Sequence, residues 1–419
     1  MFNTDQITLP INLAWRALFV SKVRTFLTVL GIVIGIAAVI IVMSAGESLK
    51  GLVLGQIEAF GSDFIQIEPK VPSTAKNSTE NAFSMAQGIQ VTTLKEEDAQ
   101  AILRLPNITN YYAGVMGQAV VSFGGENKNT NFMCVSPSFI EIDQSEIASG
   151  RFFSESDNND LARVAVLGSQ IANKLFAGQN SVGQSVKIGK DKFRIVGVLR
   201  ERGGGFGMDF DNLIYIPVAT AQKLVMGIDH LLWITAQIKN TSIQDQTADD
   251  IIQLLRQRHD IADPQDDDFA VTTVAEAREM IGVVFGGITL LLIAIAGISL
   301  LVGGVGIMNI MYVSVTERTF EIGLRKSVGA RPRQILWQFL WEAIAVTVFG
   351  GLIGITLGVG FTLIVFLAAK TFGFDWSFSL PPQSIIIAFG FCALVGLVFG
   401  YYPALKAAKL DPIEALRHE

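Results

Sequence analysis

Four long stretches of this 419-residue chain contain no Asp, Glu, Lys or Arg, and the shortest of them has 22 residues. They are Thr25–Gly46, Ile281–Thr316, Ala343–Ala369 and Trp376–Leu405. A helix needs roughly 20 apolar residues to cross the hydrocarbon core of a bilayer, whereas a stretch of about 10–14 fits a buried helix of a soluble core. The sequence therefore predicts a membrane protein with four transmembrane α-helices, at residues 25–46, 281–315, 343–369 and 384–405.

The basic residues that flank these stretches indicate the orientation of the chain. They lie before the first stretch, between the second and third, and after the fourth: Arg16, Lys22, Arg24, Arg318, Arg325, Lys326, Arg331, Arg333, Lys406, Lys409 and Arg417. Because cytoplasmic segments carry the excess of Lys and Arg, both termini are expected in the cytoplasm. The predicted cytoplasmic parts are an interfacial N-terminal helix at 1–24, a segment at 316–342 and a tail at 406–419, while 47–280 and the loop 370–383 lie outside.

The extracytoplasmic segment 47–280 holds 20 Lys and Arg against 30 Asp and Glu, so its formal charge is −10. An acidic surface argues against a nucleic-acid partner, because such binding depends on cationic side chains.

Alternating apolar residues in "SDFIQIEP", "QAVVSF", "TNFMCV", "LLWITAQI" and "FAVTTV" predict strands, and "IQDQTADDIIQLLRQRH" predicts a helix. We expect a large α/β domain inserted between helices 1 and 2, with one subdomain built from both flanks and a second inserted at about 136–229. Residues 73–88 are polar and without pattern, which predicts a mobile loop.

No motif in the sequence predicts catalysis or a metal site. Gly178–Ser185 spaces two glycines as a nucleotide-binding P-loop does, but Gln184 stands where the phosphate-binding lysine is needed, so we interpret it as a turn. Asp263–Asp268 is rich in carboxylates but lacks the glycine and the final glutamate of a calcium loop. We therefore expect that the chain is not an enzyme by itself and binds no metal or cofactor of its own.

The charge-free helices carry no Asp, Glu, Lys, Arg or His, the groups with which ion-coupled transporters bind their ion. A polar conduit through them is therefore not expected. They do carry glycines four residues apart, which let helix backbones approach closely in lipid. We predict that these glycines mediate helix packing, within one chain or between two: Gly31, Gly35, Gly282, Gly286, Gly350, Gly354, Gly358, Gly396 and Gly400.

The charged segment at residues 316–342, which we call the elbow, separates the second and third stretches. Its Glu321 and Arg325 are spaced i, i+4 in the order that favours a helical ion pair. An apolar stripe is predicted on a neighbouring face of the same helix, formed by Phe320, Leu324 and Val328.

The second transmembrane helix is expected to continue through this segment and to bend near its end. Gly329 can terminate a helix, and Pro332 disfavours helical backbone at the residue before it. A second amphipathic helix then begins with "PRQILWQFLWEAI". A rigid bend that offers charge and an apolar edge suits the docking of a partner protein, whereas without a partner it is an ordinary positively charged loop.

Several segments resemble the FtsX/MacB family of ABC-transporter permeases. "ERTFEIGLRKSVGA" is close to the family's elbow motif, and "VRTFLTVLGIVIGIAAVI" resembles its first membrane helix. "VAVLGSQIANKLFAGQNSVGQSVKIGKDKFRIVGVL" resembles part of a MacB-type periplasmic domain, and "YYPALKAAKLDPIEALR" resembles the C-terminal tail. MacB itself carries a fused N-terminal ATPase, so this chain resembles the version in which permease and ATPase are separate polypeptides.

The resemblance implies a homodimeric permease in a prokaryotic plasma (inner) membrane, with separate ABC ATPase subunits that bind ATP and Mg at the elbows. Such permeases are thought to convert ATP-driven closure inside into movement of the extracytoplasmic domains. The residues that match the elbow motif are Glu317, Arg318, Glu321, Gly323, Arg325, Gly329, Ala330 and Arg331. Among them, we expect Arg325 and Arg331 to face the ATPase and Gly329 to form the bend.

The resemblance leaves three hypotheses for the function. The first is MacB-like efflux of a drug, peptide or toxin, with a periplasmic adaptor protein and an outer-membrane channel as partners. The second is an FtsX-like regulator of cell-wall hydrolases that transports nothing, and the third is a lipoprotein-releasing permease. The MacB-type insertion favours efflux.

Overall fold

The computed structural model describes residues 22–59, 61, 63–72, 91–124, 126–176, 178–205, 208–371 and 378–417. The predicted loop at 73–88 and nearly all of the predicted N-terminal helix lie outside these residues. The chain forms two compact units, one that contains the residues up to Leu52 together with those from Ile281 onward, and one that contains Val53–Met280.

The helices and strands have the following bounds in chain order. The helices are α1 (Lys22–Ala59), α2 (Glu96–Ile102), α3 (Phe139–Ile142), α4 (Glu155–Asn159), α5 (Ser169–Phe176), α6 (Val218–Thr220), α7 (Gln244–Arg258), α8 (Val274–Glu317), α9 (Thr319–Ser327), α10 (Pro332–Thr371), α11 (Pro382–Lys409) and α12 (Pro412–Arg417). The strands are β1 (Phe64–Pro69), β2 (Ile108–Phe123), β3 (Glu126–Val135), β4 (Ile147–Gly150), β5 (Val164–Leu167), β6 (Ser185–Ile188), β7 (Asp191–Leu199), β8 (Gly204–Gly205), β9 (Met208–Asp209), β10 (Ile214–Pro217), β11 (Trp233–Ile238) and β12 (Phe269–Thr273).

Helices α1, α8, α10 and α11 are long and apolar enough to cross a membrane, which confirms the four predicted spans. The apolar spans within them cover Val29–Ile57, Val274–Glu317, Pro332–Thr371 and Pro382–Lys409. Helices α1, α8 and α10 extend beyond their charge-free stretches at both ends, and α11 does so at its C-terminal end. Charged side chains near helix ends can reach the lipid–water interface, so the absence of charge marks the central part of a span rather than its full length.

The second unit is built on one large sheet with the strand order β12-β1-β11-β2-β3-β10-β5-β7-β4, and β6 pairs with both β2 and β7. Strands from the two flanks of the segment form one half of it, because β1 pairs antiparallel with β11 and with β12. The strands β10, β5, β7 and β4 form the other half, and all of them come from the predicted insertion at 136–229. The halves join where β10 runs parallel to β3.

Alternate residues of the central strands enter two separate hydrophobic cores. On β2, Ala113 and Val115 belong to one core and Tyr112 to the other. On β5, Ala165 belongs to the first of these cores and Val166 to the second. Because successive side chains point to opposite faces of a strand, both faces of the sheet are covered here. This explains why β5 is buried along its whole length and why its sequence is continuously apolar.

The P-loop-like stretch at residues 178–185 forms the turn predicted from the sequence. It connects the end of α5 to β6. Gly178 and Gly183 both adopt positive φ, at 80° and 89°, which an L side chain tolerates poorly. The backbone conformation of this connection therefore favours glycine at both positions.

Candidate functional site

The elbow contains a short separate helix between two of the long ones. Helix α8 ends at Glu317, and Arg318 then leaves the helical conformation with φ −102° and ψ 15° before α9 begins at Thr319. The prediction that the second long helix continues unbroken through the elbow is therefore wrong. Beside this break, Thr316 Oγ1 donates to the carbonyl of Val313, and Thr319 Oγ1 donates to those of Val315 and Thr316. Such bonds from a hydroxyl to the preceding turn often bend helices.

A left-handed glycine separates α9 from the helix that follows. Gly329 has φ +103°, a conformation that favours glycine. The N–H of Gly329 donates to the carbonyl of Lys326 at 3.1 Å, and the N–H of Ala330 donates to that of Arg325 at 3.0 Å. These bonds use carbonyls at the end of α9 that have no partner within the helix. Pro332 then occupies the first position of α10.

Arg318 is held inside the chain by a buried carboxylate. Its Nη1 lies 3.3 Å from both carboxylate oxygens of Glu342, which is on α10. The Glu342 side chain is only 3% exposed and that of Arg318 is 21% exposed. Arg318 matches the elbow motif of the sequence, but the motif does not include Glu342 or identify it as the partner of Arg318. The one available signal was a carboxylate placed immediately before a charge-free stretch.

Arg325 also uses its guanidinium within the chain. Its Nη2 lies 2.6 Å from Glu321 Oε1, so the helical ion pair expected from the i, i+4 spacing is present. Its Nη1 donates to Gln338 Oε1 on α10 at 2.9 Å. Arg331, by contrast, is exposed. Within the described part of the chain its side chain forms no ion pair, and its N–H donates to Gln334 Oε1 at the start of α10.

The opposite side of α9 is attached to the C-terminal part of the chain. Lys326 Nζ donates to the carbonyl of Ala408 at 2.9 Å and to that of Leu410, at the end of α11. Gly323 is buried against α12, where an added Cβ would lie 2.7 Å from Cβ of Ala415. Helix α9 is therefore fixed to α10, α11 and α12 at the same time.

The remaining face of α9 is apolar and exposed. Phe320 is 55% exposed, Leu324 50% and Val328 83%. Glu317, at the end of α8, is exposed beside them in sequence. A helix that is anchored on its other sides and presents apolar side chains to solvent has the form of a docking surface for another protein.

Most of the glycines predicted to mediate helix packing lie against another helix. A Cβ at Gly31 would lie 3.1 Å from Cα of Gly303 on α8, and one at Gly35 would overlap Leu300. The other contacts join α10 to α1 and to α11: Gly350, Gly354 and Gly358 face α1, and Gly396 and Gly400 face α10. Gly282 and Gly286 on α8 have nothing within 4 Å of such a Cβ.

Among the described residues, no group of three or more His, Cys, Asp or Glu side chains could hold a metal ion. The elbow exposes apolar side chains and charged side chains, and both kinds of group form contacts between proteins.

Comparison with protein families gives two matches that together extend over most of the chain. Residues 25–254 match the MacB-like periplasmic core domain. Residues 293–412 match the FtsX-like permease C-terminal region, which includes the elbow.

Curated relatives of the chain carry the MacB name. The chain is 38% identical over 406 residues to the macrolide export ATP-binding/permease protein MacB of Bdellovibrio bacteriovorus, covering 97% of this chain and 61% of that protein. It is 37% identical over 407 residues to the protein of the same name from an Azoarcus species, covering 97% and 59%. The chain thus spans about 60% of the length of these curated relatives. The crystal structure of the periplasmic region of MacB from Actinobacillus actinomycetemcomitans is similar to 54% of this chain and 95% of that one, with 19% identity and a TM-score of 0.45.

The family match covers the inserted domain and the C-terminal helices, and the fold contains both parts in the order that the match requires. The chain belongs to the MacB/FtsX family of ABC-transporter permeases.

Proposed function

We propose that the elbow is the docking site of a P-loop ATPase and that the chain converts ATP hydrolysis into movement of its extracytoplasmic domain. The observation that carries this proposal is the exposed apolar stripe of Phe320, Leu324 and Val328 on a helix whose other sides are anchored. A force applied to the stripe reaches α10 through Arg318, α11 through Lys326 and α12 through Gly323.

The ATPase supplies the nucleotide chemistry, and the permease supplies none. ATP and Mg are bound by the ATPase, whether it is a separate subunit or part of the same polypeptide. Arg331 and Arg333 are exposed cations beside the stripe and suit an acidic rim on the ATPase. Arg325 contacts Glu321 and Gln338 within the chain, and we propose that the exposed part of its side chain also faces the ATPase.

The output that we propose is MacB-like efflux of a drug, peptide or toxin on the extracytoplasmic side. Support comes from two relatives named macrolide export proteins at 37–38% identity. Further support comes from the four charge-free stretches, which offer no polar path for a substrate across the membrane. A periplasmic adaptor and an outer-membrane channel would receive the substrate.

The working unit in this proposal is a homodimer in a prokaryotic inner membrane with both termini in the cytoplasm. Gly282 and Gly286 support the dimer, because a membrane helix that presents small residues to open space can be approached closely by a second helix. The cluster of Lys and Arg in the elbow supports the cytoplasmic placement of that segment.

Affinity purification in a mild detergent, followed by mass spectrometry, tests the docking proposal. The variant Phe320→Ser/Leu324→Ser/Val328→Ser removes the stripe, and Val120→Ser/Leu224→Ser/Ile243→Ser is a matched control on exposed residues of the other unit. We expect a P-loop ATPase to accompany the wild type and the control and to be lost from the stripe variant. A separate ATPase polypeptide retained equally by all three proteins would exclude the stripe as the docking site.

A further inference from the structure

A group of unpaired lysines lies on the exposed face of the β6–β7 hairpin. Lys187 and Lys192 are directly opposite each other in the antiparallel ladder, and both are exposed. Side chains in this position have Cβ atoms about 4.5–5.5 Å apart, so like charges there are destabilising. Lys190 adds a third ammonium at the turn between the strands. We call these three residues the lysine cradle.

The cradle borders an open concavity of about 560 Å³ that extends onto the neighbouring strand β2, where Phe123 also lines it. Ser122 lines it and lies opposite Lys187 in the β2–β6 pairing. Ser185 lines it from β6. The ammonium groups beside this concavity are exposed donors, whereas the hydroxyl of Ser122 already donates to Asn127 Oδ1 at 2.6 Å.

In the part of the chain that the structure describes, none of the three lysines forms an ion pair. The acidic residue between them in sequence, Asp191, lies 3.3 Å from Arg163 instead. The segment 47–280 has ten more acidic than basic residues, with charges of −30 and +20, so a cluster of unpaired cations departs from its general composition.

We propose that the lysine cradle binds an acidic polypeptide segment of a partner protein on the extracytoplasmic side. The cradle keeps two like charges in register at a cost in stability, and a partner that brings carboxylates between them would offset that cost. Lysine ammonium groups are mobile point charges on flexible stems, which suits several spaced carboxylates, whereas a compact phosphate is best matched by the fork of an arginine. The concavity is also much larger than one phosphate group. This proposal rests on the hairpin alone and is independent of the elbow.

Binding of a fluorescent decaglutamate peptide to the full chain in detergent micelles tests it. Lys187→Gln/Lys192→Gln removes the paired charges, and Lys174→Gln/Lys223→Gln removes two exposed lysines elsewhere in the same unit. We expect the cradle variant to bind roughly tenfold more weakly than the wild type, and the control to change by less than about twofold. Binding should also weaken as salt is raised.

A stability measurement separates a binding role from a structural one. Lys192→Glu puts a carboxylate opposite Lys187, so the cross-strand repulsion becomes an attraction. We expect this variant to lose peptide binding while its Tm rises by about 1–3 °C. A fall in Tm would mean that the lysines stabilise the fold, and the proposal would be wrong.

Competition defines the class of ligand. Displacement of the peptide by equal concentrations of inorganic phosphate would indicate a compact anion site, and displacement by vesicles of anionic lipid would indicate a membrane surface. Either result overturns the proposal, as does an absence of peptide binding or an equal loss in both double variants. Resistance to both competitors, with loss only in the cradle variant, supports an acidic segment.

Discussion

Arg318 Nη1 lies 3.3 Å from both carboxylate oxygens of Glu342 and so joins the break between α8 and α9 to a buried carboxylate on α10. The two residues are 24 positions apart in sequence. Burial of two charges costs free energy that their attraction recovers only with good geometry, so a buried pair is weak evidence for stability alone. Here the pair attaches the residue between α8 and α9 to α10.

Removal of one partner of this pair should destabilise the protein more than removal of both. Arg318→Met leaves Glu342 buried without a counter-charge and should cost on the order of 3–5 kcal/mol in unfolding free energy. Arg318→Met/Glu342→Leu removes both charges and should recover most of that loss. Thermal unfolding of the full chain in detergent measures both effects. If the single and double variants unfold at the same temperature, the pair is not energetically coupled.

Gly323 should be required for attachment of the tail. A methyl group at Gly323 would lie 2.7 Å from Cβ of Ala415, which forces α12 away from α9. We expect Gly323→Ala to cost about 1–3 kcal/mol and to expose residues 411–417 to proteolysis. Gly360→Ala is the matched control, because Gly360 is on α10 with open space around it. The control should be neutral or stabilising by about 0.5–1 kcal/mol. Equal protease resistance in both variants would contradict the account of α9 and α12.

Substitution of leucine at two of the glycines predicted to mediate helix packing should have different effects on the Tm. A Cβ at Gly354 would lie 2.8 Å from the carbonyl oxygen of Val33, so Gly354→Leu should separate α10 from α1 and lower the Tm of the monomer fold. Gly282 has nothing within 4 Å, so Gly282→Leu should leave the Tm unchanged. If the proposed dimer uses this face, Gly282→Leu should shift the protein toward monomer in size-exclusion chromatography with light scattering. A dimer unaffected by Gly282→Leu would place its interface elsewhere.

A histidine clasp in the second unit predicts a pH dependence of stability. His259 lies 2.7 Å from Asp268 and 3.4 Å from Asp98, and Asp98 also accepts from Arg258 at 2.6 Å. Hydrogen bonds to Asp268 and then to Asp98 raise the pKa of His259 to about 9. Burial acts to raise the pKa of Asp98, but the bonds from His259 and Arg258 outweigh it and lower that pKa to about 2.

The sign of the effect follows from the direction of each shift. The raised pKa of His259 gives stability that is fully present below about pH 6.5 and is lost as pH rises through about 9. The lowered pKa of Asp98 gives stability that is present above about pH 3.9 and is lost as pH falls toward 2. The Tm difference between wild type and His259→Asn should therefore shrink between about pH 6.5 and 9.5. A constant difference over that interval would show that the imidazolium charge is not what stabilises the clasp.

The sequence predicts the features of this fold that depend on local pattern. The charge-free stretches identify α1, α8, α10 and α11, and the alternation in "QAVVSF" and "TNFMCV" identifies strands that pair in the observed structure. The i, i+4 spacing likewise identifies the contact between Glu321 and Arg325.

Contacts between distant positions could not be predicted in this way. Lys326 binds the carbonyl of Ala408, 82 positions later in the chain. At the break, Arg318 contacts a carboxylate on another helix, and helical propensity alone, which takes no account of such a contact, favours a continuous helix. For the same reason the sequence could not show that Arg325 also contacts Gln338 on α10.

The most direct test of the central claim is photocrosslinking in cells from a benzoylphenylalanine residue at position 328. Val328 is 83% exposed on the anchored helix, and Val120, 51% exposed in the other unit, is the control position. The account predicts that position 328 forms a crosslink to the nucleotide-binding domain of a P-loop ATPase and that position 120 does not. If position 328 crosslinks only to lipid or to unrelated proteins while the protein is intact and abundant, the elbow is not where the ATPase docks.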